Sequence, residues 1–129
     1  MEQLTVLVQD KPGALADICE AFGRNGVNIK SIAAEGLGEA GIIRIVTEDM
    51  NTAKRALDRE GFSYSVSDII SIRLTDKPGE LGKVARRLAD AGVNIQYIYI
   101  LGKEKGMTDL ALKVSDTDGA KKALEKYLI

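Results

Sequence analysis

The pattern of apolar and polar residues changes once near the start of the chain. Residues 3–9 are rich in branched apolar side chains and stop at Asp10, before a Pro-Gly pair, which predicts a strand that ends in a turn. Beyond the turn, apolar side chains recur at the spacing of one helix face: Leu15, Ile18, Cys19 and Phe22. We therefore predict an amphipathic helix that ends near Gly26, since glycine adopts the left-handed conformation at a helix end without steric cost.

Four further elements are predicted in the first half of the chain. Two strands over residues 27–35 and 42–47 flank a glycine-bounded turn, and a helix capped by Asp49 follows. The inward positions of this helix are Ala53, Ala56 and Leu57. A last strand over residues 62–66 completes the order β-α-β-β-α-β, which is typical of the ferredoxin-like fold.

The chain contains an internal repeat. Residues 10–36 and 76–102 share eleven identities in 27 positions at a constant offset of 66. The identities are concentrated in two short motifs, Asp-Lys-Pro-Gly-x-Leu and Gly-Val-Asn-Ile. Because similarity at a fixed period defines the unit of structure, we predict two domains, residues 1–68 and residues 69–129.

The second copy repeats these elements but has less chain after its second helix. Strands are predicted over residues 69–75, 93–101 and 107–114, and Asp116 caps the last helix. Aligning Leu124 with Leu57 leaves too few residues for a final strand. We therefore predict an α+β fold of two ferredoxin-like units, each an antiparallel sheet with helices on one face, in which the second unit lacks its last strand. We expect the open edge of its first strand to be covered by another strand or to be frayed.

Two tyrosines make one predicted strand apolar on both faces. Tyr97 and Tyr99 alternate with Ile98 and Ile100, so the tyrosines lie on the face away from the helices. An open sheet face is normally polar. We therefore expect a second subunit to cover the tyrosines, which predicts a homodimer; a ligand stacked on the two rings is the alternative.

Composition and charge exclude several classes of function. The net charge of −1 gives no electrostatic footprint for nucleic acid, and no apolar run approaches the roughly 18 residues of a membrane span. With no histidine and a single cysteine, Cys19, the chain lacks the usual catalytic pairs and zinc ligands. We therefore expect no nucleic acid or membrane partner, no cofactor, no metal and no catalytic residues, and we expect the cytoplasm as the compartment.

The repeated polar residues suit a small zwitterionic ligand. In Asp10-Lys11-Pro12-Gly13, and again in Asp76-Lys77-Pro78-Gly79, the Pro-Gly turn leaves the first helical N–H groups uncovered, which favours a carboxylate. Asp10 either caps the helix or accepts a hydrogen bond from a ligand ammonium. Asn28 and Asn94 follow Gly-Val at the start of a strand, and their amides both donate and accept hydrogen bonds. The alternative is purely structural. In that case Pro-Gly only forms the turn, Asp10 only caps the helix, and the asparagines only bond to the local backbone.

These motifs, in this order and twice, resemble the ACT domain, a small-molecule regulatory module of amino-acid metabolism. The resemblance implies a stand-alone sensor that binds a small amino acid between the strand-to-helix loop of one ACT domain and the second strand of another. It implies these ligand-binding residues: Asp10, Gly13, Leu15, Asn28, Ile29, Asp76, Gly79, Leu81, Asn94 and Ile95. It also implies a metabolic enzyme as a partner in trans.

Three other functions are compatible with parts of this pattern. RNA-binding modules share the β-α-β-β-α-β order, but they need aromatic residues on the first and third strands, and both strands lack them here. An enzyme would have only unpartnered carboxylates and lysines to work with. The remaining alternative is a structural or trans-acting regulatory subunit of a biosynthetic enzyme, with no ligand of its own.

Overall fold

The computed structural model describes all residues, Met1–Ile129, and separates into two compact units. The first unit is Glu2–Ser67, and the second unit is Asp68–Ile129 together with Met1. The first unit contains β1 (Glu2–Gln9), α1 (Ala14–Arg24), β2 (Ile29–Gly36), β3 (Ala40–Thr47), α2 (Met50–Glu60) and β4 (Tyr64–Asp68). The second contains β5 (Ile70–Thr75), α3 (Glu80–Asp90), β6 (Ile95–Glu104), β7 (Met107–Val114), α4 (Thr117–Ala123) and a 3-10 turn, Glu125–Tyr127.

The first unit is a four-stranded antiparallel sheet with two helices on one face. Its strand order is β2-β3-β1-β4, which places β2 and β4 at the edges. The helices contribute Ile18, Phe22 and Leu57 to a core built on Leu4 and Ile45 of the sheet. The α2 helix begins at the predicted cap, where the Asp49 carboxylate accepts a hydrogen bond from the Thr52 N–H at 3.0 Å. The predicted ferredoxin-like arrangement is confirmed for this unit.

The second unit repeats the layers with one strand fewer. Its sheet has the order β5-β7-β6, and its core includes Leu88 of α3 and Leu124, which is fully buried at the end of α4. In place of a fourth strand, Leu128 forms a single bridge to Ile72. The prediction that this unit lacks its last strand is therefore confirmed. No helix of the chain is long and apolar enough to cross a membrane.

The hairpin of the second unit is longer than the sequence predicts. We expected a turn over residues 102–106, but β6 continues to Glu104 and only Lys105 and Gly106 form the turn. Both turn residues have positive φ, 51° and 74°, as the tight two-residue hairpin turn requires. An irregularity in register between Ile100 and Gly102 accommodates the extra length.

Candidate functional site

The loop between β1 and α1 builds an uncapped helix start. Pro12 and Gly13 form the turn, the Ala14 N–H donates to the Lys11 carbonyl at 3.3 Å, and Gly13 adopts φ 91°. These torsions are those of the type II turn that Pro-Gly favours. Gly13 is the N-cap residue, and no side chain caps the helix. The N–H groups that follow Ala14 in the first turn of α1 therefore have no capping side chain, and such a helix start suits an anion.

Asp10 does not cap the helix, so that alternative is wrong. Its backbone N–H donates to the Glu39 carbonyl at 3.0 Å, and its carboxylate accepts the Gly38 N–H at 3.3 Å. The carboxylate also lies against Gly36, where it occupies the space that a Cβ would need. Because Gly13 is the N-cap residue, Asp10 does not bond to α1. It is hydrogen-bonded instead to the β2–β3 hairpin beside the loop.

A cavity of about 170 Å³ opens between this loop, the start of α1 and the end of β2. It is lined by Val8, Gln9, Asp10, Lys11, Ala14, Leu15, Ala34, Glu35, Gly36, Gly41 and Ile43. Of the predicted site residues, Asp10 and Leu15 contribute to it directly. The two glycines on neighbouring strands were missed as site residues, although Gly36 belongs to the repeated identities and could have signalled a close approach.

Leu15 and Leu81 lie outside the core, contrary to what the helical spacing alone indicates. Each side chain is 44% exposed, at the same place in α1 and α3. Ile32, an apolar residue on the edge strand β2, is 40% exposed. The first turns of α1 and α3 therefore leave Leu15 and Leu81 exposed, and the edge strand β2 leaves Ile32 exposed.

Asn28 and Ile29 lie at the opposite end of α1 from the loop. The helix has eleven residues, which at 1.5 Å per residue separates the two places by about 16 Å. Ile29 packs against the core, and Asn28 is exposed. The helix-exit asparagine that bonds the local backbone is Asn25, whose amide donates to the Ala21 carbonyl at 2.7 Å. One unit alone does not bring the predicted loop and strand residues together.

The second unit has the same loop backbone and different charge partners. Gly79 adopts φ 90° and starts α3 without a side-chain cap. The Asp76 carboxylate faces the Lys103 ammonium at 3.4 Å, instead of a backbone N–H. Asn94 is exposed, its N–H donates to the Ser115 hydroxyl at 3.0 Å, and Ile95 packs against the core.

Acidic residues at both loops are already paired with cations. Beside the first loop, Glu35 accepts a hydrogen bond from the Arg44 guanidinium at 3.0 Å. At the second, a hydrogen bond from Lys83 holds the pKa of Glu80 below its ordinary value against the opposing effect of desolvation. No cluster of three or more Asp, Glu, Cys or His side chains could hold a metal ion. What the first loop offers is therefore a helix start, the Asp10 carboxylate and exposed apolar groups.

Known proteins resemble this chain along most of its length. A family model described as an ACT domain pair matches residues 1–128. The aspartokinase of Corynebacterium glutamicum is 32% identical over 80 residues, which are 60% of this chain but only 19% of that enzyme. Protein BT0572 from Bacteroides thetaiotaomicron superposes with a TM-score of 0.88 at 25% identity, covering 97% of this chain and 86% of that one.

A more distant structure shares the fold. The ligand-free regulatory subunit of aspartate kinase from Thermus thermophilus superposes with a TM-score of 0.68 at 18% identity, covering 98% of this chain and 91% of that chain. The family match spans both units, and the loop and helix starts of both have the geometry that the repeated motifs predict. The chain therefore belongs to the ACT domain family, whose members are regulatory rather than catalytic, as an ACT domain pair.

Proposed function

We propose that this ACT domain pair is an amino-acid sensor that binds a small amino acid at the interface between paired ACT domains. The observation that carries the proposal is the cavity of about 170 Å³ at the uncapped start of α1. An apolar cavity of about 150 Å³ is large enough for benzene. A small α-amino acid, with a similar number of heavy atoms, therefore fits the size of this one.

The polar groups around the cavity match the two charges of an amino acid. The N–H groups at the start of α1 suit its carboxylate, and the Asp10 carboxylate suits its ammonium. Asn28 or Asn94 of a paired domain would complete the site, because a single amide serves both charges. The exposed side chains of Leu15 and Ile32 would then contact the aliphatic part of the ligand.

Ligand screening followed by calorimetry tests this proposal. Each proteinogenic amino acid is added in a thermal-shift assay, where a ligand at about 100 times its Kd adds roughly 2.7 kcal/mol of stability. For the amino acid identified, Asn28→Ala or Asn94→Ala should weaken binding by about 1–3 kcal/mol, because a buried polar group loses its partner. Asn51→Ala, at an exposed position on α2, is the control. Unchanged binding in both site variants would show that the site is wrongly assigned.

A second candidate function is a regulatory subunit that acts in trans on an amino-acid biosynthetic enzyme without a ligand of its own. The family match and the related regulatory subunit of aspartate kinase favour it. An aspartate kinase catalytic chain is therefore the partner to assay. We also expect the protein in the cytoplasm, which subcellular fractionation would test. A change in kinase activity with added protein, together with no thermal shift from any amino acid, would favour this candidate over the sensor.

We also propose that the protein is at least a dimer. The Tyr97 and Tyr99 rings stack on one face of β6, with centroids 6.4 Å apart, while Ile98 packs against the core on the other face. Combined Tyr97→Asp and Tyr99→Asp substitution should yield monomers or insoluble protein. Sedimentation velocity at micromolar concentration decides the question, and a monomeric wild-type protein would contradict the proposal.

A further inference from the structure

In each sheet, three residues paired across neighbouring strands form a row beside the loop. The two units have different residues in this row. In the first unit, Val8 pairs with Gly41, and Gly41 pairs with Gly36. In the second, the row is formed by Leu74, Thr108 and Lys103. The rows are equivalent because Val8 and Leu74 each precede the repeated aspartate by two residues.

An irregularity in β6 creates this difference. In the repeat, Gly36 corresponds to Gly102. The register shift between Ile100 and Gly102 moves Gly102 opposite Asp109, so that Lys103 takes the position beside Thr108. Lys103 therefore takes the position of Gly36, where the first unit instead has the Asp10 carboxylate packed against the glycine.

The glycines of the first row line the cavity and give room to neighbouring side chains. The Asp10 carboxylate occupies the space that a Cβ at Gly36 would need, and a Cβ at Gly41 would lie 3.1 Å from Cγ2 of Val8. In the second row, Thr108 is 7% exposed and its buried hydroxyl has no hydrogen-bond partner. The second row therefore carries the side chains of Thr108 and Lys103 at positions where the first row has glycines.

The charges around Asp10 and Asp76 also differ, and this difference again favours ligand binding at the first loop. The Asp10 carboxylate accepts one backbone N–H, from Gly38, and keeps its negative charge for a ligand ammonium. The Asp76 carboxylate instead forms an exposed ion pair with the Lys103 ammonium at 3.4 Å. An ammonium ligand would have to displace Lys103 at the second loop but would displace no cation from Asp10.

We propose that the loop of the first unit is the amino-acid-binding loop and that the loop of the second unit is a filled, non-binding copy. This rests on the proposed amino-acid sensing and makes it more specific: each chain binds one amino acid through its loops, with the α-ammonium at Asp10. Gly36 and Gly41 determine which loop binds, because neither adds a side chain to the cavity and Gly36 makes room for the Asp10 carboxylate.

Isothermal titration calorimetry with the amino acid found by screening tests the proposal on the full chain. Wild type should bind one ligand per chain. Gly41→Thr, which copies the second row into the first, should weaken binding about ten-fold or more. Thr108→Val, which keeps the shape and removes the unpaired hydroxyl, should leave affinity and stoichiometry unchanged. Circular dichroism and a thermal melt establish that each variant is folded.

A matched pair of charge-removing substitutions tests the proposal even if Gly41→Thr fails to fold. Asp10→Asn retains the acceptor for the Gly38 N–H and loses the charge, and it should weaken binding at least about ten-fold more than Asp76→Asn. Two ligands per chain, or a loss of affinity in Thr108→Val, or a larger loss in Asp76→Asn than in Asp10→Asn, would overturn the inference while amino-acid sensing stands. If wild type binds no amino acid, the proposed sensing itself fails.

Discussion

The same four residues, Asp-Lys-Pro-Gly, start a helix in both units, and the side chains around them differ. Gly13 and Gly79 have nearly identical torsions, with φ of 91° and 90° and ψ of −14° and −16°. Yet Asp10 holds a backbone N–H of its hairpin, and Asp76 holds the ammonium of Lys103. The turn is set locally by proline and glycine, whereas the charge offered to a ligand is set by residues across the sheet, outside the repeated motif.

The largest effect expected concerns the two cores. Leu57 and Leu124 occupy equivalent positions and are fully buried, although the second sheet has one strand fewer. Because truncation of a buried leucine removes apolar burial and leaves a cavity, Leu57→Ala and Leu124→Ala should each lower the free energy of unfolding by about 2–5 kcal/mol. Denaturant titration measures the loss, and hydrogen exchange assigns it to one unit.

Leu37→Ala is the matched control for both substitutions. Leu37 lies in the β2–β3 turn and is 59% exposed, so its truncation should change the free energy of unfolding by less than about 0.5 kcal/mol. If Leu124→Ala lowered the free energy of unfolding as little as this control does, the end of α4 would not be packed as α2 is. The two cores would then not be equivalent.

Local chemistry explains why most of the fold could be predicted. The stripe that includes Ile18 and Phe22 is buried, and Asp49 and Asp116 cap helices as expected, because spacing and capping depend on residues within one turn.

The cavity and the exposed site residues could not be predicted in the same way. Helical spacing places Leu15 on the apolar stripe, but burial depends on whether the first turn lies over the sheet or beyond its edge. The irregularity near Leu101 adds a residue without breaking the apolar pattern, so the contrast between Gly36 and Lys103 appears only in the register. Such pairings between strands cannot be deduced from the local sequence.

The next effect in size comes from the left-handed glycines. A Cβ at Gly13 or Gly79 would meet open space, so the cost of alanine there is the backbone conformation alone. Gly13→Ala and Gly79→Ala should therefore each lower the free energy of unfolding by about 1–2 kcal/mol. Their effects on ligand affinity should be unequal, with the larger loss for Gly13→Ala.

Gly23→Ala is the control for these substitutions. Gly23 lies inside α1, where alanine meets no neighbouring atoms and is the better helix former, so this change should raise stability by up to about 1 kcal/mol. Equal losses of ligand affinity in Gly13→Ala and Gly79→Ala would mean that both loops bind, contrary to the proposed difference between them.

A smaller, pH-dependent effect separates the helix ends of the two units. Glu60 accepts hydrogen bonds from Arg24 at 2.9 and 3.3 Å, and Arg24 holds the pKa of that carboxyl below its usual value. At the equivalent positions the second unit has Asp90 and Lys126, and the Lys126 ammonium lies 5.1 Å from the centre of the Tyr127 ring. The acid sensitivity due to this ion pair should therefore be confined to the first unit.

The direction of this effect follows from the lowered pKa of Glu60. Its contribution to stability is complete above the unfolded value of about 4.3 and is lost as the pH falls through the lower folded value. Glu60→Gln should melt slightly below wild type at pH 7, and the two proteins should converge in acid. Glu48→Gln, at an exposed position, is the control. A difference that persists unchanged at the lowest pH would exclude the ion pair as its cause.

The smallest effect concerns the edge of the second sheet, where the first unit has β4 and the second has single contacts. At the start of β5, the Ile69 N–H donates to the Met1 carbonyl at 2.8 Å, the Ser71 carbonyl accepts the Ile129 N–H at 3.1 Å, and Ile72 bridges to Leu128. Because backbone groups alternate in direction along a strand, Thr75 should also face this edge, beyond these contacts. Hydrogen exchange should then be fast at Thr75 and slow at Ile72 and Leu74, which face β7. Ile129→Pro removes one donor and should cost at most about 1 kcal/mol. Uniform protection along β5 in wild type would show that a further strand, from another copy of the chain or from a partner, completes this sheet in solution.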